Sequence, residues 1–261
     1  MNEPVLTVVI NAFNEEKHIV DCIESARGLT DSIIVIDTES TDATATLAKD
    51  AGANVYSFPY PRIVEPSRSF GIHKASGDWV FVLDADERIT KALSAEIKMA
   101  IKNADTDGIT HYLIPRKNMF ARRIWLKHGK WWPDYIPRLI KKEAFKEWPA
   151  HIHSTPVITG SKGTLREPLI HFSQGDLDDM VRKTILFENA ESDLLAQAKK
   201  PASVPIFFRK YLAELYRRFL KQSGYLDGTM GIIGSFYQAY SKTITYLLVY
   251  EKTHVKKGSH H

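Results

Sequence analysis

Gly77-Asp78-Trp79-Val80-Phe81-Val82-Leu83-Asp84-Ala85-Asp86-Glu87 is the stretch that decides the fold of this chain. A short apolar run opened by glycine and closed by polar residues reads as a strand. Its apolar residues are continuous rather than alternating, which marks a strand covered on both faces, as in a parallel sheet between helices. The strand ends in carboxylates. Residues i and i+2 of a strand project to the same side, so Asp84 and Asp86 are expected to address one ligand at its carboxyl end. In an open parallel sheet that edge is where ligands bind. Hard oxygen donors there suit Mg²⁺ or Mn²⁺, ions that complete their shells with substrate phosphates. An isolated Asp-x-Asp is more often an acidic surface turn, so its neighbours carry the decision.

Upstream, the same pattern recurs. Leu6 to Ile10 reads as a buried strand, and a helix is expected from about Glu15 to Arg27, with Ile19, Val20, Ile23 and Ala26 on one face and Gly28 as its stop. Ser32 to Ile36 is a second strand ending in Asp37, followed by a helix opened by Ser40-Thr41-Asp42 as its cap and closed by Gly52. Ala53–Phe58 is a third strand, a helix near 67–75 precedes Trp79, and another runs from Thr90 to Ile101. Strand and helix in alternation predict an α/β domain with a mostly parallel, Rossmann-like sheet flanked by helices.

Beyond this region the pattern changes. From about 108 to 175, short β-like pieces (109–114, 138–140, 155–158, 169–172) alternate with aromatic and basic loops. From 176 onward three helices are expected, at about 177–199, 205–223 and 229–250. The predicted organisation is residues 1–105 and 106–175 as two parts of one domain and 176–257 as a helical, basic extension. Gly258-Ser259-His260-His261 reads as a tag remnant.

Composition excludes several classes. Of 261 residues, 44% are apolar and 25% charged, which is ordinary for a globular protein able to build its own core. A single cysteine, Cys22, rules out an internal disulfide, and its helical, apolar setting predicts an inert buried thiol. Neither a signal peptide nor a membrane-spanning run is read, so a cytoplasmic location is expected. Net charge is +4, but residues 205–261 carry 9 Lys+Arg against 3 Asp+Glu, a surplus of +6 that leaves the preceding residues at −2. A nucleic-acid partner is not expected, because the basic residues sit in the tail and the acidic strand ends repel phosphates.

Three loops follow the strand ends. Asn11-Ala12-Phe13-Asn14-Glu15-Glu16 opens a helix, where backbone N–H groups can hold a ligand or Asn14 and Glu15 simply cap the helix. Asp37 ends its strand several residues before any cap, and can accept hydrogen bonds from a ribose or a base N–H. Arg68 offers a forked donor for phosphate, or is a solvent-facing helix residue.

With these residues on one sheet edge, the chain resembles the inverting family 2 glycosyltransferases of the GT-A fold. The resemblance rests on Val8-Val9-Ile10-Asn11-Ala12-Phe13-Asn14-Glu15-Glu16, Ile34-Val35-Ile36-Asp37-Thr38-Glu39-Ser40-Thr41-Asp42-Ala43-Thr44 and Arg68 through Glu87, about the first 90 residues. A looser likeness to lipopolysaccharide-core and other cell-envelope members rests on Trp131-Trp132-Pro133-Asp134, Arg138-Leu139-Ile140, His171 and Gly224-Tyr225-Leu226-Asp227-Gly228.

The resemblance implies transfer of a sugar, with inversion, from a nucleotide donor to a cell-envelope glycan or lipid-linked acceptor, with UDP the expected carrier and Mg²⁺ or Mn²⁺ assisting. Asp37, Ala12, Asn14, Glu15, Arg68, Asp84 and Asp86 would hold the nucleotide sugar. Asp86, Asp84 and His171 would hold the ion, and Trp131, Trp132 and Arg138 the acceptor. For the catalytic base, Asp134, His153 and His151 are open, with Asp134 preferred; Ser154 stands where many relatives carry glutamate. Rival readings are a catalytically inactive sugar- or lipid-binding module and a sugar nucleotidyltransferase, though Asn11–Glu16 lacks the glycine-rich phosphate loop the latter wants.

Two surfaces complete the reading. Trp125, Trp131, Trp132 and Tyr135, interleaved with Arg122, Arg123, Lys127 and Lys130, suit sugar stacking and anionic acceptors. Phe208, Tyr211, Leu212, Leu215, Tyr216 and Phe219, with Arg209, Lys210, Arg217, Arg218 and Lys221 nearby, form an amphipathic helix. Such a helix packs on a core or a second subunit, or lies on the inner face of an anionic membrane.

Overall fold

The computed structural model describes residues 5–61, 63–120, 123–151, 154–174 and 177–255. In chain order the elements are β1 (Leu6–Ala12), α1 (Ile19–Arg27), β2 (Ile33–Asp37), α2 (Thr44–Asp50), β3 (Asn54–Ser57), α3 (Glu65–Lys74), β4 (Trp79–Asp84) and β5 (Glu87–Arg88). There follow α4 (Lys91–Asp107), β6 (Ile109–Phe120), β7 (Ile124–Trp125), β8 (Asp134–Lys141), β9 (Phe145–Glu147), β10 (Val157–Ile158), β11 (Ser161–Thr164) and β12 (Leu169–Gln174). The chain closes with α5 (Leu177–Gln197), α6 (Val204–Leu215), a π-helical continuation over Tyr216–Lys221, and α7 (Gly228–Tyr250). These elements divide into one unit of Met1–Lys117 with Asp134–Ser173 and another of Asn118–Pro133 with Gln174–His261.

In the first unit the sheet runs β3-β2-β1-β4-β8-β6-β12-β5, with β11 beside β6. The first four strands are parallel, joined by helices as the alternating pattern predicts. Beyond β4 the sheet turns antiparallel, at β8 on β4 and β6 on β8, so the whole is mixed. The change begins where the chain stops alternating strand with helix, after α4.

Continuous apolar strands are explained by two cores. Val8, Ile10, Val35, Phe81 and Leu83 pack with Ile19, Ile23, Leu93 and Ile97 on one face; Val9, Ile36, Val80 and Val82 pack with Ile72 and Ala75 on the other. Alternate residues of each strand thus face opposite helices. Gly71 lets α3 approach: a Cβ there would stand 2.4 Å from Val9 Cγ1. Cys22 is buried within the first core, and burial pushes its thiol well above the ordinary range, as expected of an inert cysteine.

Helix boundaries moved for visible reasons. The first helix starts at Ile19, not Glu15, because Asn14 sits at φ 53° and the following residues form a turn. Ser40 does not cap α2, whose cap position is Ala43; its hydroxyl is engaged across the loop. The fourth helix continues to Asp107 because Ala104 extends the buried row of Leu93, Ile97 and Ile101, and it ends at Gly108 with φ 64°.

In the second unit α7 packs against both α5 and α6. Buried Glu188 of α5 accepts hydrogen bonds from Ser241 (2.5 Å) and Thr245 of α7, and Tyr237 donates to Thr184 (2.8 Å). Among the described residues no helix is long and apolar enough to cross a membrane.

Candidate functional site

The loops after β1 and β2 are laced together. Asn14 N–H donates to Ser40 Oγ (2.9 Å), Thr41 N–H to Asn14 Oδ1 (2.7 Å), Glu15 N–H to Thr44 Oγ1 (2.8 Å), and Ala43 N–H to Glu16 Oε2 (3.2 Å). Ala12 contributes its carbonyl, which accepts from Thr38 N–H and Oγ1. Glu15 also pairs with His18 Nδ1 at 2.5 Å. Beside these loops Asp37 is 6% exposed. Its Oδ2 accepts Ser40 N–H at 3.3 Å, whereas its Oδ1 is buried with no hydrogen-bond partner among the described residues. A buried acceptor left unpaired is costly, and such groups mark places where a ligand donor belongs. Phe13 after β1 and Tyr60 after β3, their ring centroids 4.3 Å apart, leave aromatic surface exposed beside these loops.

At the end of β4 a chain of alternating charges begins. Arg68 Nη2 meets both oxygens of Asp84, at 2.9 and 2.6 Å. Arg138 Nη2 reaches Asp84 Oδ2 at 2.5 Å and Glu87 Oε1 at 2.7 Å. Arg116 Nη1 lies 3.7 Å from Glu87 Oε1, and Arg116 Nε and Nη2 hold Asp134 Oδ2 at 2.8 and 2.7 Å. Glu87 Oε2 closes the turn by accepting Asp84 N–H at 3.0 Å. Burial opposes the Asp84 charge, but Arg138 and Arg68 outweigh it and hold the carboxyl well below the usual range. Burial likewise opposes the Arg138 cation, and Asp84 with Glu87 overrides it, so the guanidinium stays firmly protonated.

Strand alternation does not carry through to Asp86. The strand ends at Asp84, Ala85 and Asp86 form a turn, and Asp86 Oδ2 stands 3.6 Å from His171 Nε2. Pairing of β12 with β5 brings His171 opposite Glu87, and Phe172 N–H donates to Asp86 O at 2.9 Å. Carboxylate and imidazole side by side, both largely buried, are a donor set that fits Mn²⁺ or a similar ion. Among the described residues no group of three or more His, Cys, Asp or Glu could hold an ion by itself, so such an ion would rely on phosphate oxygens and water for the rest of its shell.

Residues 7–161, more than half of the chain, match the family described as "Glycosyl transferase family 2". The chain belongs to that family. Among curated relatives, an uncharacterized glycosyltransferase of Rickettsia bellii (strain RML369-C) is 28% identical over 91% of this chain and 85% of its own length. The lipopolysaccharide core biosynthesis glycosyltransferase LpsC of Rhizobium meliloti (strain 1021) is 27% identical over 90% of each. Among solved structures, S. aureus TarS 1–349 covers 98% of this chain and 93% of its own at 14% identity, with a TM-score of 0.48. The protein is a glycosyltransferase, with the α/β sheet flanked by helices and the C-terminal helices that its sequence predicts.

Several residues of this glycosyltransferase were named from sequence, and the structure distributes them. Asn14, Glu15, Asp37, Arg68, Asp84, Asp86, Asp134, Arg138 and His171 all lie in the first unit. Arg138 is 3% exposed and its guanidinium lies against Asp84 and Glu87. His153 and Arg122 lie outside the described residues. Trp131 and Trp132 belong to the second unit, where Arg218 stacks over Trp131 at 5.1 Å and Trp132 meets Trp125 edge-on at 5.3 Å. There His128 Nδ1 pairs with Asp227 Oδ1 at 2.7 Å, fastening the tryptophan loop to the Gly224–Asp227 turn. Sequence reading passed over Arg116 and Glu87, which link Asp84 to Asp134, and over the Phe13–Tyr60 pair. Glu87 was visible beside the acidic turn; Arg116 sits in a β-strand of mixed pattern that gave no signal.

Proposed function

We propose that the protein transfers a sugar from a nucleoside diphosphate donor, UDP-linked, to a cell-envelope glycan or lipid-linked acceptor, with inversion at the anomeric carbon. The observation that carries the donor reading is the unpaired Oδ1 of Asp37 at the carboxyl end of β2. With Oδ2 taken by Ser40 N–H, one acceptor oxygen remains. A single acceptor suits the one N–H on the pairing edge of uracil better than the two donors of guanine. The exposed Phe13 and Tyr60 rings give a base a surface to stack on. The acceptor class is supported by the likeness to LpsC.

The geometry supports a set of roles. Asn14, Glu15 and Ala12 shape the nucleoside loop. Arg68 and Arg138 keep Asp84 ionised and fixed, so Asp84 orients the ribose and diphosphate while its charge is already balanced. Asp86 and His171 would hold the divalent ion, which when bound neutralises charge on the departing diphosphate. Asp134, gripped by Arg116 through one oxygen, takes the proton of the acceptor hydroxyl as that oxygen bonds to the anomeric carbon and the bond to the diphosphate breaks.

Calorimetric titration of UDP and GDP, with and without Mn²⁺, tests the reading. UDP is expected to bind more tightly than GDP, and the Mn²⁺-dependent part of its affinity is expected to vanish in Asp86→Ala. Absence of binding by either nucleotide to folded protein with metal present sinks it.

A further inference from the structure

The second unit carries an apolar surface that no other part of that unit covers. Val204, Phe208, Leu212, Tyr216 and Leu220 recur at every fourth residue along α6 and its continuation, and each is between 54% and 69% exposed. Residues four apart share a helix face. Next to this row, Tyr211 of α6 and Ile232, Ile233, Phe236 and Tyr240 of α7 line an open apolar groove. Monomeric proteins rarely leave a continuous patch of this kind bare.

Charge says what covers it. Arg209 and Lys221, each one residue past a member of the row, are exposed. Between residues 204 and 250 the only carboxylates are Glu214 and Asp227. Both are turned to partners inside the unit: Glu214 holds Arg217 and Arg218 (2.7 Å to the latter), and Asp227 holds His128. The face therefore offers apolar side chains and cations with no exposed acid. A second copy on a two-fold axis would set the same cations against each other with nothing to balance them.

We infer that α6 and α7 lie on an anionic lipid bilayer, with the Val204–Leu220 row buried at the headgroup boundary and Arg209 and Lys221 on the lipid phosphates. This inference stands apart from the transfer chemistry. Co-sedimentation of the full chain with phosphatidylcholine vesicles, alone or mixed with phosphatidylglycerol, tests it. The protein is expected to pellet with the mixed vesicles only, and less so at high salt. The double variant Phe208→Glu/Leu212→Glu is expected to lose roughly tenfold or more in binding with its melting temperature unchanged, because both side chains are exposed. Failure of the wild type to pellet, or equal binding by the variant, overturns the inference. So does a concentration-dependent dimer in sedimentation velocity that the same substitutions abolish.

Discussion

Arg138 Nη2 bonds Asp84 Oδ2 at 2.5 Å from a position that is 3% exposed, on a strand antiparallel to the one that Asp84 ends. One buried cation thus serves two carboxylates, since Glu87 lies on the same nitrogen. Removing it leaves Asp84 to Arg68 alone and strips the fully buried Glu87 of its nearest cation, with Arg116 at 3.7 Å as what remains. Arg138→Met is expected to destabilise the fold by about 3–5 kcal/mol. Urea denaturation measures this, and a loss below about 1 kcal/mol contradicts the buried-network account.

The same pair sets a pH dependence. Folded Asp84 titrates below its unfolded range of about 3.9, so its contribution to stability is complete above that range and fades as pH falls through it toward the folded value. Wild type is expected to exceed Asp84→Asn in melting temperature near neutral pH, with the gap narrowing below about pH 4. A gap that stays constant into acid contradicts the charge origin of the effect.

Asp134 carries the proposed proton transfer. Asp134→Asn is expected to lower turnover by about 10²–10⁴-fold while leaving UDP affinity within a factor of about two. Equal loss of UDP binding instead assigns Asp134 to the structure of the donor site.

His171 stands or falls with the ion. His171→Ala is expected to raise the Mn²⁺ concentration for half-maximal UDP binding by about tenfold or more, without altering metal-free binding. Unchanged metal dependence removes His171 from the ion's shell.

The sequence was a good guide to what neighbours make and a poor one to what distance makes. Strands β1, β2 and β4 were readable because each is a mostly apolar run with a carboxylate or amide at or next to its carboxyl end. The carboxyl-edge location of Asp37 and Asp84 followed at once. Ser40 was misread as a helix cap because local rules see the helix it precedes and not Asn14, 26 residues away, whose N–H it takes. The placing of Asp84 and Asp86 on one side was argued from strand alternation, which stops at Asp84. The partners of Asp84 lie 16 and 54 residues away, and no local pattern distinguishes those arginines from solvent-facing ones.

The lacing between residues 14–16 and 40–44 has a consequence for how a donor arrives. Each loop uses the other's backbone N–H groups as its own partners, so opening either one breaks hydrogen bonds of both. The ordering entropy of this edge is incurred during folding rather than on encounter. On the donor reading proposed above, the nucleoside is expected to meet a preformed cradle, so that its capture is a docking event rather than a folding one.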